Sequence, residues 1–152
     1  MSQVASAYIV PEIDLKSAVV LIRGGKDAAF WSAIEPFEAP GKFDYSGFVV
    51  AILIAFLGER GVELPFDDTD SDVATLIDAG LVAASTVEQS AAVLAAINEL
   101  PVSDAEMATY FEEFTEERWE EAGKAMRAAY TFITDALVRQ INAGGRYLLF
   151  VG

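Results

Sequence analysis

The clearest apolar periodicity lies in the last third of the chain. Over residues 115–143, apolar side chains recur every three or four positions, which places them on one stripe of an α-helix. Thr115 can cap this helix, and Glu116 and Glu117 then oppose the positive end of the helix dipole. At about 1.5 Å per residue, the pattern predicts a helix roughly 40 Å long that kinks near Gly123 or projects at one end. The stripe consists of Trp119, Ala122, Met126, Ala129, Tyr130, Ile133, Leu137 and Ile141.

Short β-prone runs lie near both ends of the chain. Residues 7–10 stop at Pro11, and residues 147–151 follow Gly144 and Gly145, which end the preceding helix. The second run has almost no polar residue, so we expect a strand that is covered on both faces. Pairing of the two runs would bring the ends of the chain together at the centre of a small sheet.

The region between these runs is predicted to be mainly helical. A short helix ends at Gly24 and Gly25, and residues 44–58 are apolar around most of the helical circumference, as in a buried central helix. Residues 27–38 carry several aromatic side chains, which fit either a core position or a binding patch. These side chains are Phe30, Trp31 and Phe37.

Two capping boxes mark the starts of further helices. Thr86 with Gln89 opens one helix, and Ser103 with Glu106 opens the next. The order of elements is therefore a short strand, several helices and a short strand. It predicts a mainly helical α+β fold in a single domain, residues 1–152, whose small sheet includes the N-terminal and C-terminal strands.

The chain is strongly acidic, with 24 Asp and Glu against 10 Lys and Arg and a formal net charge of −14. This charge disfavours nucleic acid and anionic membranes and favours a basic protein or cations, although it can also serve solubility alone. The longest apolar run, residues 48–57, is far shorter than the roughly 20 residues of a membrane-spanning helix. No cationic segment with an apolar core opens the sequence, so we expect a cytoplasmic protein without a membrane segment.

Cysteine and histidine are both absent. Their absence excludes disulfides, thiol nucleophiles, Ser-His-Asp and Cys-His catalysis, and zinc sites built from thiolates or imidazoles. The sequence therefore indicates no catalytic residue and no cofactor.

A first acidic motif lies in residues 67–72. Asp68, Asp70 and Asp72 have the first three spacings of a calcium-binding loop, so they are candidate metal ligands. Continuing that spacing places Val73 where glycine is required and Ala79 where the bidentate glutamate should stand. The alternative is a solvated loop in which Asp70 or Asp72 caps a short helix over residues 73–78.

A second acidic region covers residues 104–121. Glu113 with Glu117, and Glu116 with Glu120, are predicted to share one helix face that can bind a basic partner or a divalent ion. Aromatic side chains beside these charges can supply apolar contacts to a partner if they are exposed, namely Tyr110, Phe111, Phe114 and Trp119. The candidate partner-binding residues are Tyr110, Glu112, Glu113, Glu116, Glu117, Trp119 and Glu120.

The layout of the chain resembles the YfbM-like family of small bacterial proteins of unknown function. Residues 7–15 are similar to that family's opening strand, polar turn and helix. Residues 85–97, which lead to residues 103–107 and Tyr110, and the closing helix with residues 143–151, continue the similarity. The resemblance implies an α+β fold with no assigned activity, and therefore no catalytic residues.

Three classes of function remain open, and one of them is a role that the sequence does not indicate, such as that of a homo-oligomeric scaffold. The first is a non-enzymatic interaction protein, of immunity or regulatory type, which binds a basic partner through its acidic surface. The alternative is a hydrolase that depends on carboxylates or a divalent metal, which requires two carboxylates converging in one pocket. Sequence spacing cannot establish such convergence.

Overall fold

A three-stranded antiparallel sheet lies between two groups of helices. The computed structural model describes residues 3–41 and 43–152. The strands are β1 (Ala5–Val10), β2 (Leu81–Ser85) and β3 (Arg146–Val151). β3 lies in the centre, with β1 and β2 antiparallel to it on either side. The predicted pairing of the two terminal strands is confirmed, with Ala5 opposite Val151.

Helices, with the 3-10 turns included, account for 62% of the described residues. They are α1 (Glu12–Arg23), α2 (Asp27–Ile34), α3 (Gly47–Glu59), α4 (Ser71–Leu76), α5 (Val87–Glu99), α6 (Asp104–Thr115) and α7 (Ala122–Ala143), with 3-10 turns at Glu35–Phe37 and Ile77–Ala79. The mainly helical α+β fold is therefore confirmed. Of the helices in the described residues, none is both long and apolar enough to cross a membrane.

The strand β2 was not predicted. Its sequence, Leu-Val-Ala-Ala-Ser, is short and carries three small side chains, so it lacks the bulky alternation that marks a strand. Gly80, at a φ of 97°, turns the chain from the preceding 3-10 turn into the strand. The strand is thus specified by its pairing with β3 rather than by its own pattern.

Alternate side chains of β3 fill two separate cores. Tyr147 and Leu149 pack among α3, α5, α6 and α7, whereas Leu148 and Phe150 pack among α1, α2 and α4. All four are at most 2% exposed. The prediction that this strand is covered on both faces is confirmed, and helices on both sides explain its continuous apolar run.

A buried polar network joins the second strand to the helices beside it. The Ser85 and Ser90 hydroxyls are 2.6 Å apart, and the Ser90 hydroxyl also donates to the Gln140 side chain. The Gln140 amide donates to the backbone oxygens of Ser85 at 2.8 Å and of Gly145 at 3.0 Å. Each polar atom removed from water thus gains a partner.

The Tyr147 hydroxyl has no such partner. Its residue is 1% exposed, and among the described residues its oxygen is the one buried side-chain polar atom without a hydrogen bond. Burial in this apolar core raises the pKa of the phenol.

The helix predicted over residues 115–143 is confirmed over residues 122–143, but its predicted start at Thr115 is wrong. Thr115 is the last residue of α6 rather than a cap, and Glu116 takes a left-handed φ of 58°. The next helix, α7, begins only at Ala122. The apolar spacing in the sequence continues across this gap because Trp119, although it lies outside both helices, is also apolar and packs on Phe111 of α6, with ring centroids 5.4 Å apart. Neither a kink at Gly123 nor a projecting end is needed.

Gly123 instead allows α6 and α7 to pack closely. A side chain added at Gly123 would place its Cβ 2.9 Å from the backbone oxygen of Asp104. The same corner carries an ion pair between Asp104 and Arg127, with Oδ1 and Nε 2.7 Å apart. A glycine is therefore required at this contact.

Several local predictions are confirmed. Thr86 and Gln89 form both hydrogen bonds of the predicted capping box. Ser103 and Glu106 form only one of the two, in which the Ser103 hydroxyl accepts from the backbone N–H of Glu106. The helix α3 supplies seven buried residues to the core, as a central helix should. Phe48, in the first turn of this helix, differs from these buried residues because it is 42% exposed.

Candidate functional site

Two exposed aromatic rings lie side by side on the surface formed by α3 and α6. Phe48 and Phe114 are 42% and 51% exposed, and their ring centroids are 6.3 Å apart. Phe48 occupies the first turn of α3, where the Ser46 hydroxyl accepts a hydrogen bond from its N–H at 3.3 Å. Phe114 stands in the last turn of α6. Exposed apolar side chains that meet in this way are typical of interaction sites.

Tyr110 and Trp119 form half-buried walls beside these rings. The Tyr110 ring lies 6.1 Å from Phe114 and 5.3 Å from Phe56. Trp119 packs on Phe111 and meets Tyr45 edge-on at 5.9 Å. The two aromatic residues among those expected to bind a partner, Tyr110 and Trp119, are thus both at the surface, and each packs against a buried residue of the core. We name the four residues Phe48, Tyr110, Phe114 and Trp119 the aromatic surface.

A cavity of about 370 Å³ opens within the aromatic surface, between the end of α6 and the bend that precedes α7. Its size lies near the lower end of the roughly 300–1,000 Å³ found for ligand pockets, so it can receive a side chain from a partner. The lining residues are Phe48, Phe111, Thr115, Glu117, Arg118 and Trp119.

The bend over residues 116–121 is fixed by local bonds. The Thr115 hydroxyl donates to the backbone oxygen of Phe111 at 2.9 Å and accepts from the N–H of Glu117 at 3.3 Å. The N–H of Ala122 donates to the oxygen of Trp119 at 3.1 Å, which starts α7. These bonds close the end of α6 and position Trp119 against the core.

Five glutamates lie on α6 and the bend, beside Tyr110, Phe114 and Trp119 in the sequence. Glu113, Glu116, Glu117 and Glu120 are exposed, and Glu112 is half-buried. The ion pairs found within residues 3–41 and 43–152 include none of these five carboxylates. Their negative charge is therefore available to an incoming cationic group.

The predicted pairing of these glutamates on one helix face is wrong. Glu113 lies in α6, whereas Glu116, Glu117 and Glu120 lie in the bend, because the helix ends at Thr115. Of the five carboxylates, only that of Glu117 lines the cavity, beside the side chain of Arg118. The acidic part of the site is thus a set of carboxylates spread over α6 and the bend rather than one stripe.

The environment of Tyr110 is also negative. Burial raises the pKa of its phenol, and the charge of the nearby Glu59 carboxylate raises that pKa further. Arg60 opposes this effect and forms an ion pair with Glu106 at 3.2 Å.

The acidic loop over residues 67–72 is a separate feature. Asp70 caps α4, as one alternative predicted, by accepting bonds from the N–H groups of Asp72 and Val73. The Asp72 carboxylate lies 3.1 Å from the Arg23 guanidinium, and Asp68 is exposed. Two of the three candidate metal ligands are thus engaged by the protein itself. In the described parts of the chain, no group of three or more acidic residues is arranged to hold a metal ion.

The loop and the aromatic surface do not form one site. The loop leads into α4, which packs against the face of the sheet opposite to α6.

One residue of the surface, Phe48, was not predicted. Its segment is apolar all round, and only its place in the first turn, beside the helix end, distinguishes it from its buried neighbours.

Comparison with known proteins assigns no family: no family model, curated protein or solved structure matches this chain. The resemblance to YfbM-like proteins and the hydrolase alternative therefore stay predictions.

Proposed function

We propose that this protein is a non-enzymatic interaction module, of immunity or regulatory type, that binds a basic protein through the aromatic surface and the glutamates near it. The observation that supports this most directly is the meeting of Phe48 and Phe114, both exposed, near glutamates that form no ion pair within the described residues.

The two kinds of residue have different roles in such a complex. Burial of Phe48 and Phe114 supplies affinity, because aromatic side chains in a desolvated centre carry much of the free energy of binding. The glutamates speed association and select for a basic partner, because attraction between opposite charges acts before contact. Affinity is therefore expected to fall as salt concentration rises.

A pair of charge reversals tests the proposal. Proteins captured from a lysate of the source organism by the natural chain are identified, and the captured basic protein is then purified and titrated. The variant Glu113→Lys with Glu117→Lys is expected to bind it at least about tenfold more weakly, since each charge reversal replaces attraction by repulsion.

The matched control is Asp67→Lys with Asp68→Lys, which changes the net charge equally but lies in the separate acidic loop. It is expected to retain most of the affinity. Equal binding by the surface variant and the natural chain would remove this surface from consideration. Equal loss in both variants would show that only the overall charge matters.

A further inference from the structure

A second cavity, of about 420 Å³, lies on the opposite side of the sheet from the aromatic surface. We propose that it binds an organic cation that carries an ammonium or guanidinium group. The lining residues are Ile22, Asp27, Trp31, Thr75, Asp78 and Ala79.

Three helices and a 3-10 turn converge to form this cavity. Asp27 and Trp31 are four residues apart on α2, so they stand one above the other on the same helix face. Thr75 belongs to α4 and Asp78 to the 3-10 turn that follows it. Ile22 closes the third side from α1, which ends at Arg23.

The charges that line the cavity are negative. The two carboxylates come from different elements, and the lining residues that the structure describes include no Lys or Arg. Arg23 lies at the edge of the cavity, since its Nε donates to the Thr75 hydroxyl at 3.3 Å, but its guanidinium also lies 3.1 Å from the Asp72 carboxylate, which offsets its charge. That hydroxyl donates in turn to the backbone oxygen of Ser71 at 2.7 Å. The cavity therefore presents acceptors, within a chain whose net charge of −14 already attracts cations.

Trp31 supplies an aromatic wall of fixed orientation. Phe30 and Phe150 meet it edge-on, with ring centroids 5.0 and 4.9 Å away. Trp31 is only half-buried, so part of the indole remains at the cavity. An indole attracts ammonium and guanidinium groups more strongly than other aromatic side chains do.

This combination selects an organic cation over a metal ion. Calcium takes about six to eight oxygen ligands and magnesium demands an octahedral set, which two carboxylates beside an indole do not supply. An alkyl ammonium or guanidinium needs one or two carboxylates, an aromatic face and apolar contacts, and Ile22 and Ala79 supply the last of these.

Trp31 also provides the assay. The chain has two tryptophans, so Trp119→Phe leaves Trp31 as the only one. Butylammonium and propylguanidinium are titrated into this variant at constant ionic strength, with 1-butanol as a neutral compound of similar shape. We expect a saturable change of Trp31 fluorescence with at least one cation and none with butanol. Because the cavity and the aromatic surface lie on opposite sides of the sheet and share no lining residue, this response is independent of the proposed partner binding.

Removal of the two carboxylates is the decisive variant. Asp27→Asn with Asp78→Asn is expected to weaken binding of the cation at least about tenfold, since two attractions are lost. The control Glu88→Gln with Glu99→Gln removes the same charge from α5, on the other side of the sheet, and is expected to bind normally. Thermal melts establish that each variant is folded, and the single variants Asp27→Asn and Asp78→Asn are used if the double variant is not.

The probes also separate two sources of the cation. Tighter binding of spermidine would identify a free polyamine, and tighter binding of N-acetyl-lysine amide would identify a lysine side chain. The proposal is overturned by a response to butanol equal to that of the cations, by equal weakening in the α5 control, or by a saturable response to calcium alone.

Discussion

Replacement of Tyr147 by phenylalanine is expected to stabilise the protein. The Tyr147 hydroxyl is removed from water and makes no hydrogen bond within the described residues. An unsatisfied buried polar group costs about 1–3 kcal/mol relative to its hydrated state in the unfolded chain. Loss of one oxygen leaves a void smaller than a methyl group, which costs less than about 1 kcal/mol. The net gain is therefore about 1–2 kcal/mol in the free energy of unfolding.

The same hydroxyl makes stability depend on alkaline pH. Burial raises the pKa of Tyr147 in the folded chain, whereas the unfolded tyrosine ionises near its ordinary pKa of about 10. Above that pH the unfolded state binds fewer protons than the folded state, so the free energy of unfolding falls as pH rises. Tyr147 contributes a slope of about −1.4 kcal/mol per pH unit there. The phenylalanine variant lacks this contribution, so its advantage over the natural chain should widen above pH 10.

Denaturant unfolding at pH 7 and between pH 9 and 11, followed by circular dichroism, measures both effects. A gain of 1–2 kcal/mol corresponds to a rise in melting temperature of about 2–8 °C for a chain of this length. The pKa values of Tyr8 and Tyr110 are also raised, but both residues are present in both proteins, so their contributions cancel in the comparison. A variant that is less stable than the natural chain at pH 7 would refute the reasoning, because it would mean that the hydroxyl has a partner, such as a buried water.

Two further predictions concern packing. Gly123→Ala should destabilise the protein by about 1–3 kcal/mol in denaturant unfolding, because the new Cβ would stand 2.9 Å from the Asp104 backbone oxygen. Gly58→Ala is the control, since nothing lies within 4 Å of its added Cβ. Equal effects of the two substitutions would show that the α6–α7 contact can relax. Deletion of residues 147–152 should abolish cooperative unfolding, because β3 pairs with both other strands and supplies both cores; a sharp thermal melt of the truncated chain would contradict this.

Predictions from the sequence held where short-range chemistry decides the structure. The capping box of Thr86 and Gln89 needs only residues three apart, and it forms as expected. The apolar run of β3 was recognisable because helices on both sides demand apolar residues at every position.

The predictions failed where contacts distant in sequence decide. The strand β2 is too short and its side chains too small to be recognised without its partner β3. Gln140 interrupts no apolar pattern, yet it is buried because Ser85, Ser90 and Gly145 satisfy its amide. The periodicity across Thr115 persisted because Trp119 packs on α6, and a stripe does not show which helix it belongs to.

In the candidate site too, some features were predictable from the sequence and others depend on contacts between distant segments. The positions of Tyr110, Trp119 and the glutamates near the surface followed from the sequence. The neighbouring placement of Phe48 did not, because α3 and α6 are far apart along the chain and only folding brings their ends together. The placement of the glutamates likewise depends on the left-handed backbone of Glu116, which the helical pattern of the sequence did not indicate.

The residues that stabilise this surface are different from the charged residues that are available to a partner. Trp119 and Ala122 anchor the bend to the core, whereas the glutamates around them form no ion pair in the described chain. Because the net charge of the chain is −14, further negative charges repel those already present, so the fold gains nothing from these glutamates. Reversal of Glu113 and Glu117 should therefore leave the free energy of unfolding unchanged or slightly raised. A loss of partner binding in that variant would then report on the surface itself and not on the stability of the domain.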